Sequence, residues 1–143
     1  MPWLFDTDAI SELLKRRPAP RYVAWLAAIP RTEQFTSATV IGELFRGAYR
    51  SPDSARHIEH IVSRVLPAVT VLPFDTAVAR KYGEISSALQ EKGRPLADAD
   101  LAIAATALYH GLDLVTGNLR HYRRIPGLKI ERILVEARTG RTT

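Results

Sequence analysis

Apolar residues recur along this chain at alternating short and helical spacings, and the alternation itself predicts the architecture. Residues 2–5 form a short apolar run that ends at Asp6, Thr7 and Asp8, after which Ile10, Leu13 and Leu14 keep helical spacing until Pro18. Tyr22, Trp25, Leu26 and Ile29 fall at i, i+3, i+4 and i+7, which marks a second amphipathic helix ended by Pro30. A short buried strand is expected around Phe35, followed by a helical stripe of Ile41, Leu44, Phe45 and Ala48, with Glu43 beside the stripe. Ser51 and Pro52 read as a helix start for the face Ile58, Ile61, Val62 and Val65, and Val69 to Phe74 reads as a strand. Asp75 caps a helix carrying Val78, Tyr82, Ile85 and Leu89 that Gly93 ends. Asp98 opens an alanine-rich helix closed by Gly111, Leu112 to Thr116 is a strand, and Leu128 to Ile133 is a last edge strand.

Strands alternating with helices in this way predict an α/β fold, a mostly parallel central sheet of four to five strands flanked by helices. Any ligand site then lies beyond the carboxyl ends of the strands. A chain of 143 residues that is 46% hydrophobic fills one core, so a single domain is expected over residues 1–136, with a polar, flexible tail over 137–143.

Composition narrows the function classes. The absence of cysteine removes disulfides, thiolate zinc sites and cysteine nucleophiles, and fits a reducing compartment. No basic segment followed by a long apolar stretch opens the chain, and nowhere do eighteen apolar residues run uninterrupted, so a cytoplasmic protein without a membrane span is expected. The net charge of +5 favours an anionic partner.

Against that basic background stands a set of acids at the ends of predicted strands and the starts of helices. Asp6 follows the first strand, Asp98 and Asp100 open a helix, and Thr116, Gly117 and Asn118 follow a later strand, so these groups can gather at one sheet edge with Glu43. Clustered carboxylates repel one another unless a cation intervenes, and all-oxygen ligands point to Mg²⁺ or Mn²⁺. Each acid also has an ordinary reading: Asp6 or Asp98 as a helix cap, Asp100 as a complement to a helix dipole, Glu43 as a partner of Arg46 or Arg50, Asn118 as a turn residue. The four histidines form no acid-base pair in the sequence and are expected to be solvent-exposed.

The stretches LFDTDAISELLKRRP, TSATVIGELFRGA, GRPLADADLAIAATAL and LVTGNLRHYRRIPGL resemble, in order, the signature blocks of VapC-type PIN domains. The resemblance covers nearly the whole chain. It implies a PIN-like nuclease domain with Asp6, Glu43 and Asp100 as metal-binding catalytic carboxylates, Asn118 where a fourth acidic or amide residue belongs, and Asp98 as an accessory acid. Two positions depart from the pattern: Asn118 stands where many PIN domains have aspartate, and Asp8 where the family commonly has asparagine. Thr7, Ser37 and Thr116 are candidates for orienting the carboxylates through their hydroxyls.

The implied activity is that of a metal-dependent endoribonuclease toxin, acting on RNA and neutralised by a VapB-type antitoxin, with a homodimer expected. Arg46, Arg50, Arg120 and Arg123 are candidates for a rim that holds the RNA backbone, together with Lys15, Arg16, Arg17, His121 and Arg124. Leu13, Tyr22, Trp25 and Leu26 are candidates for an antitoxin groove, with core packing an equal account of them. Two alternatives stand beside this reading. One is a non-catalytic basic nucleic-acid-binding module. The other is a haloacid-dehalogenase-type phosphatase with Asp6 as nucleophile, which lacks the later acidic pair and leaves Glu43 without a role.

Overall fold

The computed structural model describes residues 2–140. Its strands β1 (Trp3–Phe5), β2 (Gln34–Ser37), β3 (Thr70–Leu72), β4 (Asp113–Val115) and β5 (Ile130–Glu131) pair in parallel throughout, in the order β3-β2-β1-β4-β5. The helices are α1 (Thr7–Leu14), α2 (Pro20–Ala27), α3 (Ala38–Arg50), α4 (Ser54–His60), α5 (Thr76–Glu91), α6 (Asp98–His110), α7 (Leu119–Tyr122) and α8 (Ile133–Thr139). Among the described residues, no helix is long and apolar enough to cross a membrane.

The chain lays β2 and β3 on one side of β1, then crosses back and adds β4 and β5 on the other. The carboxyl ends of β1 and β4 therefore bracket the point where the strand order reverses, the place where a parallel sheet opens a crevice. Phe5 lies opposite Val115, and the Asp6 amide donates to Val115 O at 3.1 Å, which carries the pairing one residue further. Asp6 and Thr116 thus leave the sheet side by side.

Local sequence explains the elements that frame this crevice. Asp6 is the N-cap of α1, its Oδ1 accepting from Ala9 N at 2.8 Å. Ser37 caps α3 by accepting from Val40 N at 3.2 Å, so its hydroxyl starts a helix and does not orient a carboxylate as expected. On α6, Leu101 through Ala107 are all buried, the alanines allowing close approach to the sheet and α5. Gly111, at φ +67°, ends that helix in a left-handed turn that returns the Leu112 amide to Ala107 O at 2.9 Å.

Several expected boundaries move. Ser51 is the C-cap of α3 and accepts from Asp53 N; α4 starts at Ser54, so Ser51 and Pro52 do not begin a helix. The apolar face expected to finish that helix continues as a π-helical turn (Ile61–Val65) and a 3₁₀ turn (Leu66–Ala68) ahead of β3. The last strand is only Ile130–Glu131, and Ile133 belongs to α8. Of the tail expected over residues 137–143, residues 137–139 complete α8 and Gly140 caps it, while residues 141–143 lie outside the described residues. Ile133 and Leu134 are buried and Ala137 packs against the core, a helical spacing hidden beneath β-branched residues that read as strand.

Tyr22 and Trp25, candidates for a partner groove, are taken up by packing. Tyr22 is fully buried and donates to Ala9 O at 2.9 Å; Trp25 stacks on it at 6.1 Å and meets Trp3 edge-on at 5.4 Å. Leu13 and Leu26 line a small cavity of about 120 Å³ with Phe5 and Ile10.

Candidate active site

Asp6 is 4% exposed and Thr116 is fully buried, so their polar atoms have to find partners within the protein. Thr116 Oγ1 donates to Asp6 Oδ2 at 2.5 Å and accepts from the Asn118 amide at 2.9 Å, which ties the end of β4 to the end of β1 and fixes the turn after it. Burial pushes the Asp6 carboxyl up to about 7; the bonds from Thr116 and Ala9 oppose the rise, and the charges of Asp8 and Asp100 add to it.

Asp100, in the first turn of α6, accepts from Tyr122 Oη at 3.3 Å and contacts His121 Nδ1 at 3.2 Å. The same Nδ1 lies 2.9 Å from Asn118 Nδ2. One ring nitrogen therefore stands between an amide and a carboxylate: protonated it donates to Asp100, and unprotonated it accepts from Asn118. Tyr122 is buried, and its hydroxyl is driven well above the ordinary tyrosine range by burial first and then by the charges of Asp6, Asp100 and Glu43. Of the three carboxylates, Asp100 is the one that Tyr122 contacts directly.

Glu43, half-buried on α3, accepts a hydrogen bond from Thr7 Oγ1 at the start of α1. Thr7 and Glu43 line a cleft of roughly 390 Å³ that also takes in Ser11, Lys15, His57 and His60. His57 and His60, expected only as solvated surface, therefore border this cleft.

The remaining candidates divide. Asp98 is exposed and accepts from Tyr82 Oη of α5 at 2.9 Å, a bond that ties it to the α5–α6 pair and not to the other acids. Arg46 and Arg50 are exposed beyond Glu43 on α3, and Arg120 and Arg123 are exposed beyond Asn118; none of the four is held in an ion pair among the described residues.

Asp6, Glu43 and Asp100 could hold a metal ion by their chemistry, since all three offer oxygen donors of the kind that suits Mg²⁺ or Mn²⁺. Among the described residues, no group of three Asp, Glu or His side chains is arranged to hold a metal as it stands. Each carboxylate is instead turned to a protein donor: Asp6 to Thr116, Glu43 to Thr7, Asp100 to Tyr122 and His121.

The parts played by two residues are not evident from the sequence. His121 is expected there as a solvent-exposed loop residue of the basic rim, but α7 brings it half-buried against Asp100, and Tyr122 on the same short helix does not stand out at all. A one-turn helix leaves no periodicity to read; the only available signal is that both residues closely follow Asn118.

The PIN-domain family model matches residues 3–128. Toxin FitB of Neisseria gonorrhoeae is 37% identical over 118 residues, covering 79% of this chain and 85% of that protein. The tRNA(fMet)-specific endonuclease VapC of Salmonella typhimurium is 30% identical over 131 residues, covering 92% and 97%. Among solved structures, the DNA-bound VapBC complex from Salmonella typhimurium superposes with a TM-score of 0.79 at 31% identity, covering 92% of this chain and 97% of that one.

Proposed function

This chain belongs to the PIN-domain family, and from that premise we propose that it is a divalent-metal-dependent endoribonuclease, the toxin of a pair silenced by a VapB-type antitoxin. The observation that carries this reading is geometric: Asp6 and Thr116 leave the sheet side by side at the ends of β1 and β4, and the turn that follows leads through Asn118 to His121 and Tyr122, which hold Asp100. The relatives supply the substrate class and the partner: one is named as a tRNA endonuclease, another as a toxin, and the Salmonella structure is a VapBC complex. RNA as substrate and a chain without cysteine fit the cytoplasm as its compartment.

Asp6, Glu43 and Asp100 would hold Mg²⁺ or Mn²⁺, which when bound supplies charge neutralisation at the scissile phosphate and acidifies water for in-line attack. The chain's own groups do the rest. Thr116 and Thr7 aim the Asp6 and Glu43 carboxylates, and His121 and Tyr122 aim Asp100. Asn118 adds an uncharged donor to the set and leaves the cluster with three formal negative charges. Arg46, Arg50, Arg120 and Arg123 flank it with exposed guanidinium groups that grip phosphates. The phosphatase alternative needs Asp8 free beside Asp6, whereas Arg138 holds Asp8 in a two-pronged ion pair.

The test is incubation of the antitoxin-free protein with a mixed RNA pool in Mg²⁺ or Mn²⁺, beside EDTA and Asp6→Asn controls. Discrete cleavage that both controls abolish is the expected result; RNA left intact under all conditions overturns the nuclease reading in favour of a binding module.

A further inference from the structure

The C-terminal helix reaches the rim of the site through one side chain. Arg138 Nη1 donates to Asp8 Oδ2 at 2.8 Å and Nη2 to Asp8 Oδ1 at 2.9 Å, a fork on a carboxylate only two residues past Asp6. The same guanidinium donates from Nε and Nη2 to Glu12 Oε1 at 2.9 and 2.7 Å, so one cation binds two acids a turn apart on α1. Glu12 is 3% exposed and also accepts from Lys15 Nζ at 2.9 Å and the Ala19 amide at 3.0 Å, which anchors the network on α1.

The pair rests on the turn that follows β4. A β-carbon at Gly117 would collide with Asp8 Oδ2 and Arg138 Nη1, so the ion pair occupies the space that a side chain there would fill. Gly117 links Thr116, which holds Asp6, to Asn118, which meets His121. The turn is therefore clamped on one side by the Thr116–Asp6 bond and on the other by Asp8 and Arg138.

We infer that Arg138 is a positioning residue for the acidic site: its fork on Asp8 seats the Thr116–Gly117–Asn118 turn and cancels the extra carboxylate beside Asp6. The inference rests on the proposed function for its catalytic consequence, but not for its electrostatic one. A bare Asp8 adds a negative charge next to Asp6, which attracts a cation while disordering the turn that aims Asp6. Loss of Arg138 then separates metal binding from turnover in opposite directions, which loss of a purely structural latch does not do.

The experiment measures Mn²⁺ binding by calorimetry and RNA cleavage for full-length Arg138→Gln, Asp8→Asn, the double variant and Gly117→Ala, each well below its melting temperature. Arg138→Gln is expected to bind Mn²⁺ roughly fivefold more tightly, as one uncompensated charge near a partly solvated site demands. Its kcat should fall about tenfold with KM within about twofold, the split expected when aim and not substrate binding is impaired. Removing the acid as well, in Asp8→Asn/Arg138→Gln, should return Mn²⁺ affinity toward the parent while kcat stays low, because the fork that seats the turn is still missing. Gly117→Ala, which displaces the pair without deleting a charge, should lower kcat similarly. Should Arg138→Gln prove unstable, Arg138→Lys keeps the charge but not the fork, and is expected to hold Mn²⁺ affinity while losing turnover.

A lowered melting temperature with unchanged Mn²⁺ affinity and unchanged kcat would overturn the inference and leave Arg138 a structural latch; so would a parent protein that binds no Mn²⁺. A parent that binds Mn²⁺ but cuts no RNA sinks the proposed function instead, and the affinities of the single and double variants still decide the role of Arg138.

Discussion

Thr116 Oγ1 donates to Asp6 Oδ2 at 2.5 Å with both residues buried, at the seam where β1 and β4 end side by side. The bond satisfies a carboxylate that burial disfavours, and it fixes the turn leading to Asn118 through the 2.9 Å bond from the Asn118 amide. Thr116→Val keeps the shape and deletes both bonds. We expect a stability loss of about 1–3 kcal/mol, the cost of leaving buried polar groups unpaired, and a turnover loss of about tenfold, with Thr116→Ser restoring most of each. Melting curves and single-turnover cleavage read the two effects; turnover equal to the parent's would make Thr116 a strand residue only.

Asp98 and Asp100 sit two residues apart on α6, and on a helix that spacing turns side chains to nearly opposite faces. Asp100 meets Tyr122 and His121, while Asp98 meets Tyr82. Asp100→Asn is therefore expected to lower kcat/KM at least about 100-fold, and Asp98→Asn to leave it within about twofold. Equal losses from the two substitutions would place Asp98 back among the functional acids.

The same two residues show what the sequence carries. The sequence groups them at the start of one helix, and only the structure sends Asp98 to Tyr82; Asp6, Glu43 and Asn118 are singled out by the resemblance to PIN domains, at positions that follow or flank elements whose pattern is local. The strands and most helices announce themselves in the same way, with caps at Asp75 and a left-handed glycine at Gly111. The Arg138 network is not legible: its partners Asp8 and Glu12 lie 130 and 126 residues away, and no local pattern encodes such a pairing. His121 escapes because α7 is a single turn, and α8 because Ile133 and Val135 favour strands wherever tertiary packing does not decide.

Tyr22 tests the packing beneath α1. Its ring is fully buried and its hydroxyl donates to Ala9 O at 2.9 Å, one turn from Asp6. Tyr22→Phe retains the stack on Trp25 and leaves that carbonyl short of a donor, so we expect a loss of about 1–2 kcal/mol with cleavage little changed at temperatures where the variant is folded. Denaturant titration gives the first number, and an unchanged midpoint would mean that solvent replaces the missing donor.

Arg120 and Arg123 are exposed just beyond Asn118. If each grips one phosphate of a single strand, the double glutamine variant should reduce the slope of log KM against log salt by about 1.4, roughly 0.7 for each phosphate no longer gripped. Turnover at saturating RNA should stay near the parent's, because backbone contacts position the substrate without acting at the reacting atoms. A slope identical to the parent's would assign these arginines to solvated surface.

Glu12 makes the stability of the fold depend on acid. Burial by itself would raise its carboxyl, but the bonds from Lys15, Arg138 and the Ala19 amide outweigh that and bring it down to about 2, from an ordinary 4.5. A group whose folded pKa is depressed contributes stability that is fully present above its unfolded value and is lost as pH falls through the folded one. The Glu12 contribution should therefore be constant above about pH 5 and fade toward pH 2. The full shift corresponds to about 3 kcal/mol, and since the Lys15 and Arg138 side chains are 55% and 31% exposed, solvent screening leaves about 1–2 kcal/mol of it. Glu12→Gln should accordingly be less stable than the parent at pH 7 by that amount, with the two unfolding curves converging as pH is lowered. A gap that persists unchanged down to pH 2 would mean that Glu12 acts through its shape and neutral hydrogen bonds and not through its charge.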